Sequence, residues 1–125
     1  MDGTAQSVIV VDGDDLLRKA MKVELQGSFR TLAAVDAAAA LLLANHADDL
    51  VAVVSDFDLG DTANGVELLA QIRSHRPEVA RVLVTTSSSA TKLIGSALSD
   101  GTVQALFLKP WGDGDLCRLI EALVS

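Results

Sequence analysis

The sequence predicts a three-layer α/β sandwich around a five-stranded parallel sheet. Three observations predict it. Short continuous apolar runs, such as Val8-Ile9-Val10-Val11 and Val51-Ala52-Val53-Val54, have the length and character of strands buried on both faces. Segments with helical patterning separate them, so strand and helix alternate five times. The chain has 125 residues, half of them apolar, which suits one domain with a substantial core.

Each element has a local reason. Residues 1–7 read as a polar lead-in, and 8–125 as the domain. Val8–Val11 is the first strand. Asp14 or Asp15 can cap the helix that follows, Leu16 to about Gln26, with Leu16, Leu17, Ala20, Val23 and Leu25 as its expected buried side. Gly27 is a plausible stop for it. Phe29–Ala34 is a short second strand, and Asp36 caps an alanine-rich helix from Ala37 to about His46. Val51–Ser55 is the third strand. Phe57 to Asn64 is a loop rich in Asp, Gly and Asn, after which Gly65 opens the third helix, Val66 to about His75, ended by Pro77. Arg81–Thr85 is the fourth strand, Ser87–Ser89 a polar loop, and Thr91 to Leu98 the fourth helix, stopped at Asp100-Gly101. Val103–Leu108 is the fifth strand. Asp113 or Asp115 starts the last helix, which runs to about Val124. No repeat or linker interrupts this order.

Composition narrows the function classes. The formal net charge is −7, and the ten Lys and Arg form no basic run, so nucleic acid is not an expected partner of this domain. The longest apolar stretch, Val35 to Ala44, is interrupted by Asp36 and too short for a bilayer, and the first residues lack the pattern of a secretory signal. Cys117 is the single cysteine, which leaves no disulfide framework and suits a reducing cytoplasm. Cys117 is expected in the core, and Trp111 in packing or at a partner surface.

The residues that end the strands carry the chemistry. In an open parallel sheet the C-terminal strand ends lie side by side, and ligands bind there. Asp12 and Lys109 follow apolar runs directly, Asp56 follows one after Ser55, and the three should therefore converge. Carboxylates with one lysine at such an edge suit a hard divalent cation and a phosphoryl group.

Taken in order, these motifs resemble the receiver domains of bacterial two-component response regulators. The resemblance rests on Val-Val-Asp with further acids after strand 1, Ser-Asp-Phe-Asp-Leu-Gly after strand 3 and Asn-Gly-Val-Glu-Leu-Leu opening helix 3. It rests also on Arg-Val-Leu-Val-Thr in strand 4 and Leu-Lys-Pro-Trp after strand 5. The last is similar to a Lys-Pro-Trp subgroup. The resemblance implies a flavodoxin-like, doubly wound sheet of order 2-1-3-4-5. It implies that Asp56 is phosphorylated by a histidine kinase or histidine phosphotransfer protein, with Mg²⁺ held by Asp12, Asp14, Asp56 and the backbone carbonyl of Asp58. Lys109 would pair with a phosphoryl oxygen, and Pro110 would fix the following turn, often through a cis bond. A strand 4 hydroxyl would report the phosphoryl group. Counting forward from Pro77 selects Thr85, and counting back from Lys109 selects Thr86; the gap-free upstream segment favours Thr85. An output domain or downstream protein would read the helix 4–strand 5–helix 5 face. The chain would be a phosphoryl acceptor, not an enzyme.

Three positions depart from the family pattern. Gly13 stands where a second adjacent acid is usual, so Asp14 must reach the metal if Mg²⁺ is to bind well. Leu106 stands where Tyr or Phe often acts as a rotameric switch, and the adjacent Phe107 should point to the other face. Gly60 is a smaller departure, in a loop one residue longer. These departures motivate a second reading, a receiver-like interaction module that works without phosphate. A third reading is an enzyme: Asp12-Gly13-Asp14 also resembles the nucleophile motif of haloacid dehalogenase-type phosphatases, but it leaves Asp56 unexplained.

Overall fold

The computed structural model describes residues 6–60, 63–86 and 91–125. Ten elements alternate along the chain: β1 (Ser7–Val11), α1 (Asp15–Leu25), β2 (Arg30–Ala34), α2 (Ala37–His46), β3 (Leu50–Asp56), α3 (Gly65–His75), β4 (Ala80–Thr85), α4 (Thr91–Ser99), β5 (Ala105–Leu108) and α5 (Asp115–Val124). All strand pairs are parallel, in the order β2-β1-β3-β4-β5. This is the flavodoxin-like arrangement expected from the sequence. The expected loop at Ser87–Ser89 and the 61–62 part of the loop after β3 lie outside the described residues, as do residues 1–5 of the lead-in.

Two apolar layers sandwich the sheet. Ile9, Val11, Val53 and Leu83 meet α2, α3 and α4 on one face. Val8, Val10, Val54, Val82 and Val84 meet α1 and α5 on the other. The alternation within each strand is the two-residue period of an extended chain. It puts Leu106 in the first layer and Phe107 in the second, as the sequence predicted.

Caps explain the helix starts. Asp14 accepts from the N–H groups of Leu16 and Leu17 and starts α1. Asp36 accepts from Ala39 and starts α2. Asn64 and Glu67 form a reciprocal capping box on α3. α5 lacks a side-chain cap at its own N-cap residue, Gly114, which has a φ of 79°.

Three expectations need correction. On α1, Leu16, Ala20 and Val23 are exposed; Met21 and Leu25 are the buried pair, with Leu17 half-buried. Leu17, Met21 and Leu25 share one stripe at four-residue spacing, so Leu16, Ala20 and Val23 form a second stripe turned away from the sheet. The fifth strand starts at Ala105 instead of Val103, because Val103 donates to the Ala97 carbonyl at the end of α4. Cys117 is only partly buried, at the rim of the second layer.

The N-terminal edge of the sheet is stitched by arginine. Arg81 is buried, and its guanidinium donates to the carbonyls of Pro77, Val79, Gly101 and Thr102 at 2.8–3.1 Å. It joins the turn before β4 to the turn before β5.

Candidate functional site

Asp12 leaves β1 one residue after Val11, and Asp56 is the last residue of β3. In the register Val11 pairs with Ser55, so the two acids stand level on neighbouring strands. Lys109 leaves β5 one residue after Leu108. Its backbone N–H donates to the Thr85 carbonyl at 2.9 Å, which fixes its root beside β4. Its ammonium donates to Asp56 Oδ1 at 3.1 Å and to Asp12 Oδ2 at 3.4 Å. Residues 97 positions apart thus meet at one edge.

Asp12 is almost wholly buried, and its neighbours hold it firmly. Oδ1 accepts from the Asp14 N–H at 2.8 Å, and the Arg18 guanidinium donates to its backbone carbonyl at 2.8 Å. Burial, followed by the charge of Asp12, pushes the Asp56 carboxyl up, against the opposing pull of Lys109. Burial alone would push Lys109 down, but Asp56 and Asp12 outweigh it and hold the ammonium charged. Two carboxylates share one lysine, so when both are ionised the cluster is one positive charge short of neutral.

Local backbone packing sets the position of Asp56. Ser55 Oγ donates to the Asp56 carbonyl at 2.8 Å. Gly65 opens α3 against that same carbonyl: a Cβ there would lie 2.3 Å from the Asp56 oxygen and 2.7 Å from Leu83 Cδ1. The sequence marks Gly65 only as a helix start; the close approach to Asp56 comes from the packing of α3 on β3. Arg18 likewise had no signal beyond its position on α1.

The remaining expected residues divide. Thr85 is buried at the last position of β4, next to the root of Lys109, while Thr86 is exposed one residue beyond the strand. Asp58 is exposed in the loop after Asp56 and bridges to Asn64. Its carboxylate accepts from the Gly60 N–H at 3.2 Å. Asp14 uses Oδ1 to cap α1. Gly13 is exposed, with only the Val35 carbonyl, at 3.9 Å, near the Cβ it lacks. Among the described residues no three His, Cys, Asp or Glu side chains gather closely enough to hold a metal on their own. The Lys109–Pro110 peptide bond is cis.

An apolar groove runs from this cluster along α1. Leu16, Leu17, Ala20 and Val23 form one wall, and Lys109, Pro110 and Trp111 belong to the other. Trp111 packs on Phe107 with ring centroids 5.3 Å apart, which accounts for its place in the second apolar layer. No described helix is long and apolar enough to cross a membrane.

Known proteins share this fold. The family model for the response regulator receiver domain matches residues 8–121. The hydrogenase transcriptional regulatory protein HoxA of Cupriavidus necator is 29% identical over 127 residues; the alignment covers the whole chain but 25% of that protein. The chain therefore spans about a quarter of that curated relative. The signal receiver domain of an HD domain-containing protein from Pseudomonas fluorescens Pf-5 superposes with a TM-score of 0.87 at 25% identity, covering 99% of this chain and 90% of that one. A CheY-like receiver domain protein from Methanospirillum hungatei JF-1 superposes at 0.84 and 24% identity, covering 95% and 94%.

Proposed function

The chain belongs to the response regulator receiver domain family, and from that premise we propose that Asp56 accepts a phosphoryl group from a histidine kinase or histidine phosphotransfer protein. The single observation that carries the proposal is the Lys109 ammonium held between Asp12 and Asp56. A carboxylate oxygen of Asp56 attacks the phosphorus of a phosphohistidine. The O–P bond forms as the P–N bond breaks, and the electron pair leaves with the imidazole nitrogen. Lys109 then turns to a phosphoryl oxygen as a point charge. Thr85, beside the root of Lys109, supplies the hydroxyl that registers the new group.

The donor set fits Mg²⁺. That ion is held by one or two carboxylates together with waters and phosphoryl oxygens, and this cluster is short of positive charge. Asp12, Asp56 and the Asp58 carbonyl would hold it, and Asp14 would join once its carboxylate leaves the start of α1. When bound, Mg²⁺ supplies positive charge against the oxygens of the transferring group.

The groove along α1 suits an apolar helix that presents the donor imidazole, since Lys109 lies in its wall. The phosphoryl group adds about −1.5 to −2 charge at the sheet edge. The α4–β5–α5 face, where Leu93, Leu98 and Leu108 are exposed, passes that change to an output domain or downstream protein. In this reading the chain is a cytoplasmic acceptor, not an enzyme that turns over, and it binds neither nucleic acid nor membrane itself.

The test is intact-protein mass after incubation with phosphoramidate, with and without Mg²⁺. A phosphoryl-sized gain that needs Mg²⁺ and is lost in Asp56→Asn supports the reading; no gain in the wild type sinks it. Gly13 favours a second reading, an interaction module independent of phosphate. Gly13→Asp has room for its side chain, and should tighten Mg²⁺ binding on the order of tenfold. Labelling that appears only in Gly13→Asp would establish the second reading.

A further inference from the structure

Glu24 sits on α1 outside the charge cluster, yet both of its carboxylate oxygens are committed across the groove. Oε1 accepts the indole N–H of Trp111 at 2.9 Å. Oε2 accepts the backbone N–H of Cys117 at 2.9 Å. Cys117 is the third residue of α5, and its N–H is one that an N-cap side chain normally takes. Gly114 has no side chain to take it. Glu24 therefore caps α5 from another helix, and its negative charge is favourable at a helix N-terminus.

The same carboxylate contacts a loop. The connection from Pro110 to Gly114 carries two glycines, Gly112 and Gly114, so its own backbone restrains it weakly. Among the described residues, Glu24 is the hydrogen-bond partner that this connection has outside itself and α5. Lys109 is the residue at which the connection begins. One end is tied through Trp111 and the other through the first turn of α5, both to the helix that also holds Asp12 through Arg18.

We propose that Glu24 is a positioning residue for Lys109: by tying Trp111 and the start of α5 to α1, it keeps the ammonium between Asp12 and Asp56. The consequence for phosphorylation rests on the reading that Asp56 is the acceptor. The positioning itself does not.

The experiment compares wild type with Glu24→Gln and Glu24→Ala. Asp49→Ala is the control, because it breaks the Arg30 and Ser7 contacts at the opposite edge of the sheet. Trp111 is the only tryptophan and the chain has no tyrosine, so its emission reports the loop directly. Nitrogen-15 NMR of the Lys109 ammonium reports its contacts with Asp12 and Asp56, and phosphoramidate labelling reports function. In Glu24→Gln the amide can offer its oxygen to only one of the two donors, so that variant should not restore the tie. Both Glu24 variants should shift Trp111 emission to the red and move the Lys109 Nζ resonance towards that of a solvated lysine. Labelling should slow roughly ten- to a hundredfold. Asp49→Ala should lower the melting temperature and change none of these. Unchanged Trp111 emission would show that Glu24 does not hold the loop. A freed Trp111 with an unmoved Lys109 resonance would show that loop and lysine are independent, and either result overturns the proposal. If the wild type is never labelled, the acceptor reading fails, while emission and the Lys109 resonance still decide the role of Glu24.

Discussion

At the scale of single residues, Asp56 carries a stability cost that depends on pH. Burial raises its carboxyl above the ordinary range, and Asp12 adds to this. A group whose folded pKa exceeds its unfolded one favours the fold only while protonated. Its contribution is complete below the unfolded value and lost as pH rises through the folded one. At neutral pH ionised Asp56 therefore costs stability, and Asp56→Asn should melt a few degrees higher than wild type. The difference should shrink as pH falls below the usual carboxylate range; a thermal melt series checks it, and a variant less stable at pH 7 would contradict it. Asp12, Asp56 and Lys109 were legible in the sequence because each stands at the end of an apolar strand segment, Asp56 after Ser55. Their mutual contacts follow from the strand order. Asp14 was legible as an acid but not as a single role, because a cap and a metal ligand have the same residue type and spacing. Glu24 and Arg18 were not legible at all: their partners lie on other elements or on the backbone, and no local pattern encodes those contacts.

At the scale of elements, α3 is the one whose start matters most for Asp56. Its capping box fixes where the helix begins, and Gly65 lets it begin against the Asp56 carbonyl. Gly65→Ala must displace backbone or Leu83, so it should cost about 1–3 kcal/mol. Denaturant titration would measure that loss, and an unchanged midpoint would count against the close contact. Helix α2 matched its expected bounds because Asp36 and the alanine run are strong local signals. Helix α1 has apolar residues on two stripes, and periodicity alone could not choose between them. Packing chose Met21 and Leu25, and left the other stripe as the wall of a groove.

At the scale of the whole molecule, that exposed stripe separates two kinds of phosphodonor. Val23 is 66% exposed, so Val23→Asp should change stability by no more than about 0.5 kcal/mol. A small donor such as phosphoramidate needs no groove, and its labelling should persist. Transfer from the cognate kinase or phosphotransfer protein should slow. Stopped transfer with both donors would mean that Val23 supports the fold, not docking. The global order of strands was readable from the βα alternation, whereas the surface was not, since exposure depends on which helices share a layer.

The buried Arg81 gives the two ends of this domain different mechanical characters. Its charge does not titrate at any ordinary pH, and its four carbonyl partners come from segments that must therefore stay together. The far edge acts as a fulcrum, set once during folding. The edge at Asp56 is held by contacts between opposite charges, which the phosphoryl group of the proposed reaction would rearrange. Motion started at Asp56 should therefore swing β4 and α4 about a fixed heel, larger at the toe than at the pivot, as in a lever rather than a spring.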